Sequence, residues 1–194
     1  MTYLNEDTLV QQTTADYLKD HLGWDSVYAY NQETFGDGGL LGRNSDREVV
    51  LTRYLKQALQ ELNKGLPESA YDEAVRQVMD YSQSQSLLSS NFDKYKLFKD
   101  GILVSFQGVD GEIKKERLKV FDFNNPENNH FLTVRELWVQ GDLYRRRIDI
   151  VGFVNGIPLL FVECKNIHKD LKTPTRKTFL ITKIPSRTFL ITTP

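Results

Sequence analysis

Apolar positions recur with a helical period over the first hundred residues and with a period of two after that. Asn5 is placed to cap a helix that runs through Tyr17 and Leu18 to Leu22, with Gly23 as its stop. Residues 24–30, aromatic and β-branched, predict a short strand, and "TFGDGGLLGRN" at 34–44 predicts a glycine-rich loop. The next stretch opens on Ser45 and Glu48, the spacing of a capping box. Leu51, Leu55, Ala58, Leu59 and Leu62 then fall on one face before Gly65. Pro67 begins another helix through Tyr71, Val75, Val78 and Met79. The low-complexity run "SQSQSLLSSN" at 82–91 predicts a connector, followed by a short helix or turn over 92–98.

From Gly101 onward the pattern is that of strands. Asp110-Gly111 separates two strand-like runs within residues 102–123, a hairpin signal. "NNPENNH" at 124–130 predicts a turn and "FLTVRELWVQ" at 131–140 a strand. A second hairpin signal follows in "RRIDIVGFVNGIPLLFVECKN" at 146–166, around Asn155-Gly156. Helices first and largely antiparallel strands after predict an α/β (α+β) fold, a sheet with helices against it. The end is unlike the rest: "TFLIT" occurs at 178–182 and again at 188–192 among prolines. Two copies do not make a solenoid. Residues 173–194 are therefore set apart as an atypical tail, of the kind a frameshift or cloning junction leaves, and 1–172 as one domain.

Composition narrows the function classes only a little. At 194 residues, 40% hydrophobic and 26% charged, with a net charge of −1, the chain suits one globular domain, and a basic patch remains compatible with that balance. The single cysteine, Cys164, allows no internal disulfide, and no run approaches the roughly 20 apolar residues of a membrane span. A cytoplasmic setting is the expectation. The three histidines are too scattered for a zinc motif, and no phosphate-binding G-x-x-x-x-G-K-[ST] loop occurs.

The chemistry concentrates in the last hairpin. Its two runs are apolar on both faces, as in central strands, yet the first carries Asp149 and the second ends in Glu163 and Lys165. Carboxylates are costly there without compensation. A two-residue turn with an unbroken ladder would set Asp149 against Val162, whereas an odd loop over 155–157 or 154–158 sets it against Glu163. The odd loop is the expectation. Two carboxylates about 4 Å apart repel by about 4 kcal/mol at an effective dielectric near 20. A divalent cation reverses that sign, and Mg²⁺ suits one or two carboxylates plus waters. The Cys164 carbonyl is a further candidate ligand, and Lys165, facing the same way as Glu163, is placed to handle an attacking water. Arg145, Arg146 and Arg147 are candidate DNA-phosphate contacts. Glu6 is a weaker candidate for a third carboxylate. Trp24, Tyr28 and Tyr30 are more readily core aromatics than base-stacking platforms, and Cys164 is more readily a small packed side chain than a nucleophile.

Over residues 4–172 the chain resembles the N-terminal endonuclease domain of the R subunit of type I restriction enzymes, within the PD-(D/E)xK nuclease superfamily. The resemblance rests on "LNEDTLVQQTTADYLKDHLGW", "REVVLTRYLKQALQELN", "KDGILVSF", "FDFNNPENNHFLTVRELWVQG" and above all "RRRIDIVGFVNGIPLLFVECKN". It implies a restriction-endonuclease-like mixed β-sheet flanked by helices. It also implies Asp149 and Glu163 as metal ligands, Lys165 as the catalytic lysine, and Mg²⁺-dependent hydrolysis of unmodified double-stranded DNA. Modification and specificity subunits would be partners, and ATP-driven translocation would belong to motor domains of a longer parent. Two departures stand out. Ile148 occupies the position where proline is common before the aspartate, and no Q-x-x-x-Y motif follows Lys172, as though the nuclease core stopped before its last helix. The competing expectation is a non-catalytic DNA-binding or docking module of the restriction complex.

Overall fold

The computed structural model describes residues 6–80, 87–108, 110–141 and 143–164, without the side chains of 6–9 and 87. Helix α1 (Glu6–Leu22) leads into strand β1 (Asp25–Tyr28), and α2 (Thr52–Leu62), α3 (Glu68–Met79) and α4 (Leu87–Asp100) follow. Strands β2 (Ile102–Gln107) and β3 (Ile113–Leu118) come next. A 3₁₀ turn at Pro126–Asn128 then precedes β4 (Phe131–Gln140), β5 (Arg145–Val154) and β6 (Ile157–Val162). Among the described residues the strands form a four-stranded sheet in the order β1-β4-β5-β6, with a separate β2-β3 ribbon. Strand β1 runs parallel to β4 and the other neighbours are antiparallel. The fold is thus the mixed sheet with helices that the sequence leads one to expect.

Two apolar clusters hold these layers together. Leu55 and Leu59 of α2, Tyr71 and Val78 of α3, and Phe98 of α4 close over Ile102 and Val104 of β2 and Leu118 of β3. On the larger sheet, Leu132, Val134, Leu137, Val139, Val151 and Phe153 pack with Leu41 and Leu51. Burial on this scale is the main stabilising term, at about 25 cal/mol for each Å² of apolar surface removed from water.

The helix expected from Ser45 begins only at Thr52. Val49, Val50 and Leu51 are all buried, Val50 facing one cluster and Leu51 the other, which no single helical face can do. The Leu51 N–H bonds the Gly156 carbonyl at 2.9 Å, and the Glu48 carbonyl accepts from Arg43 Nη1 at 3.0 Å. Glu48 turns its carboxylate back to the Asn44 backbone N–H and side-chain amide, both at 2.9 Å. Tertiary partners outbid the capping box. Helix α4 also starts earlier than expected, within the serine-rich run.

The glycine-rich loop is held by two arginines. Arg43, fully buried, binds Glu33 through Nε and Nη2 at 2.5 Å each and donates to the Trp138 carbonyl at 2.6 Å. Arg53 donates to the carbonyls of Asp37, Gly39 and Leu40, each at 3.0 Å. A buried pair of this kind is costly to break on one side, because the surviving charge is left without compensation.

Candidate active site

The site is built on the β5–β6 hairpin, and the turn sets its geometry. Asn155 and Gly156 have φ of 50° and 78°, and Val154 pairs directly with Ile157, so the turn has two residues rather than an odd number. Positive φ at both central positions is the turn type whose twist matches the flanking strands. The expected odd loop is therefore not present.

A register shift does its work instead. Phe153 pairs with Pro158, but Gly152 pairs with Leu160, leaving Leu159 as an extra residue in β6. Beyond this bulge Val151 faces Phe161 and Ile150 faces Val162. Continued one step past the end of β6, that register would set Asp149 against Glu163. The Cys164 backbone N–H donates to Asp149 Oδ2 at 2.7 Å, so the chain just past β6 runs beside Asp149. Asp149 is half-buried and Glu163 exposed, so the pair lies at the solvent-facing end of the hairpin.

The buried carboxamide of Asn155 fixes the turn in space. It accepts from the His130 N–H at 2.7 Å and donates to the Val120 carbonyl at 2.8 Å and to Asn129 Oδ1 at 2.9 Å. Asn129 in turn accepts from the Asp122 N–H, and Asp122 gathers the Asn124 and Asn125 N–H groups and the Asn128 amide. The Asn128 side chain first, then the Asn125 and Asn124 N–H groups, hold the Asp122 carboxyl below the usual carboxylate range. The asparagine-rich turn before β4 is thus the anchor of the hairpin that carries the acids.

Residues 3–179 match the family model for the type I restriction enzyme R protein N terminus. The chain belongs to this family. It is 37% identical over 164 residues to the type I restriction enzyme HindI endonuclease subunit of Haemophilus influenzae, across 84% of this chain and 15% of that protein. It is 27% identical over 166 residues to the putative type I restriction enzyme MjaIXP endonuclease subunit of Methanocaldococcus jannaschii, again across 84% of this chain and 15% of that protein. The chain thus spans about 15% of the length of these relatives. The family match ends inside the segment set apart above as a tail.

For an R-protein N terminus, the remaining site candidates fall as follows. Lys165, Glu6's side chain and the tail lie outside the described residues. Arg145 pairs with Asp46 at 2.7 Å and stacks over the Trp138 ring at 4.6 Å. Arg147 pairs with Glu136 at 2.5 Å and lies over the Tyr30 ring at 4.8 Å. Arg146 is exposed. Tyr28 carries the Arg135 guanidinium at 5.0 Å, and Trp24 packs on Phe131 with ring centroids 5.2 Å apart. Trp24 crosses so close to β5 that a Cβ on Gly152 would come within 2.8 Å of its ring. Among the described residues no three or more His, Cys, Asp or Glu side chains converge as a metal cluster. No helix among the described residues is long and apolar enough to cross a membrane.

Sequence reasoning passed over Glu136. It sits in mid-strand with φ of 57°, is nearly buried, and occupies the register position opposite Asp149, between the pairs Arg135–Ile150 and Leu137–Ile148. The core positions of β4 fall at 132 and 134 before it and at 137 and 139 after it. The signal was present in "TVRELWV": two successive polar residues, Arg135 and Glu136, break the alternation where the strand changes phase.

Proposed function

We propose that this chain is the DNA-cleaving domain of a type I restriction R subunit, a Mg²⁺-dependent endonuclease acting on double-stranded DNA. The observation that carries this reading is the hairpin register, which brings the acidic ends of two neighbouring strands together with the Cys164 N–H on Asp149. Asp149 and Glu163, with the Cys164 carbonyl, hold the cation. When bound, it supplies Lewis acidity at the phosphoryl group. Lys165 orients the attacking water and stabilises the charge that develops on the phosphoryl oxygens. Arg145, Arg146 and Arg147 border the acids and supply phosphate contacts. In the cytoplasm, translocation powered by ATP and assembly with modification and specificity subunits belong to the longer protein of which the relatives are examples.

Nicking of supercoiled plasmid by the purified chain tests this. Cleavage in Mg²⁺ or Mn²⁺ that EDTA stops is the expected result. Asp149→Asn, Glu163→Gln and Lys165→Ala should each lower it at least about a hundredfold. Cleavage that persists in all three variants rejects the site. A parent chain that binds DNA or the modification core without nicking supports the docking-module reading instead.

A further inference from the structure

Glu136 joins three observations that the acid pair does not use. Its backbone is left-handed, a conformation that side chains other than glycine adopt only when their surroundings impose it. Its carboxylate, with 11% of the side chain exposed, takes Arg147 Nε at 2.5 Å. The Arg147 guanidinium lies 4.8 Å from the ring centroid of Tyr30 and 5.9 Å from that of Trp138, with 39% of its side chain exposed. The guanidinium is therefore held by the Glu136 carboxylate and by contact with aromatic rings, while part of the side chain still meets solvent. It sits two residues from Asp149 on the same strand, and its partner Glu136 occupies the cross-strand position opposite Asp149.

We propose that Glu136 is a positioning residue that presents Arg147 to a DNA phosphate beside the Asp149–Glu163 pair. This rests on the DNA-cleavage reading for its substrate. A guanidinium is suited to the task because its planar fork matches a phosphate and its faces can stay stacked on aromatic rings while its edge donates. The backbone conformation of Glu136 places its carboxylate on the Arg147 side at the point where the core pattern of β4 changes phase. A regular strand conformation would carry that side chain elsewhere. Arg145, held by Asp46 and Trp138, is a second stacked guanidinium in the same row.

The test is binding of the chain to a short duplex in Ca²⁺, followed by fluorescence anisotropy across a range of salt, for the parent and for Arg147→Ala, Arg147→Lys and Glu136→Gln. Arg147→Ala should weaken binding roughly tenfold or more and make the plot of log affinity against log salt shallower by about 0.9, the loss of one phosphate contact. Arg147→Lys should restore the slope but only part of the affinity. Glu136→Gln is the discriminating variant. Removing a negative charge by itself tightens DNA binding, whereas loss of positioning weakens it several-fold, and weakening is the expected result. If Glu136→Gln does not fold, Glu136→Gly, which suits the left-handed backbone, replaces it with the same expectation. An unchanged salt slope in Arg147→Ala, or tighter binding in the Glu136 variant, overturns the proposal. Because binding is read without cleavage, a chain that fails to nick plasmid counts against the nuclease reading and leaves this result to be judged by itself.

Discussion

The two hairpins of this molecule begin from nearly the same sequence signal and end in different structures. Asp110-Gly111 sits in a loop over 108–112, closed by the Gly108 N–H to the Glu112 carbonyl at 2.8 Å, and β2 and β3 pair without a shift from Ile102–Leu118 to Gln107–Ile113. Asn155-Gly156 forms a two-residue turn, and its strands pair through a bulge. The longer loop lies in solvent, where Asp110 pairs with Lys114 and accepts from the Glu112 N–H. The tight turn is packed under α2 and bonded to the loop before β4. A local dipeptide announces a reversal of the chain; what packs around it decides the loop length, and through the register it decides which side chains meet.

The glycines give the largest contrast. Gly111 and Gly156 have φ of 79° and 78°, so alanine meets the same backbone penalty at both. A Cβ on Gly111 would have nothing nearer than 4.0 Å, but on Gly156 it would fall 2.5 Å from the Leu51 carbonyl oxygen and 2.7 Å from the Leu55 nitrogen. Gly111→Ala should cost about 1 kcal/mol. Gly156→Ala should cost more than about 4 kcal/mol or abolish folding, since main-chain atoms cannot step aside as a side chain does. Urea unfolding of the two variants reads the difference, and equal losses would remove the claim that α2 clamps the turn.

Asn155→Ala comes next. It strips the partners from the His130 N–H and the Val120 carbonyl and leaves alanine at φ of 50°. The expected cost is roughly 3 kcal/mol. Asp110→Ala at the other turn should barely move the urea midpoint.

The smallest effect concerns acid. Asp122 is held below its ordinary value of 3.8 in the folded chain, so its ionised form contributes stability that is complete above that value and is lost as pH falls through the lower folded one. The unfolding midpoint followed from about pH 5 to about pH 2 should fall less steeply in Asp122→Asn than in the parent. An identical slope would detach the asparagine-rich loop from the stability of the hairpin it anchors.

Much of this architecture was legible from residue order. Gly23 gave the end of α1, Pro67 and the helical period gave α3, Asp110-Gly111 gave the ribbon, and the apolar runs at 148–154 and 157–162 gave β5 and β6. The Asn5 cap lies outside the described residues, and β6, expected to be central, ends the sheet among the described strands. The start of α2 was not legible, because Ser45 and Glu48 satisfy a local rule that neighbouring Arg43 and, from a distant part of the chain, Gly156 override. The register expected for Asp149 and Glu163 follows from a device other than the odd loop: a two-residue turn with a bulge in β6. An odd loop and a tight turn with a bulge both add one residue to the count, and the tight turn observed here is held by the packing of Gly156 on Leu51 and Leu55 and by the bonds of the Asn155 side chain. The break in alternation at Arg135-Glu136 marked a change of phase, but the left-handed backbone of Glu136 and its ion pair with Arg147 do not follow from the propensity of glutamate.

Equilibrium titration of the purified chain with Mn²⁺ tests the central claim most directly, since it asks whether the register has made one site from two acids. The account predicts saturable binding in the parent that is lost in Asp149→Asn and equally in Glu163→Gln, with both variants still folded. Binding that survives either substitution unchanged would contradict it.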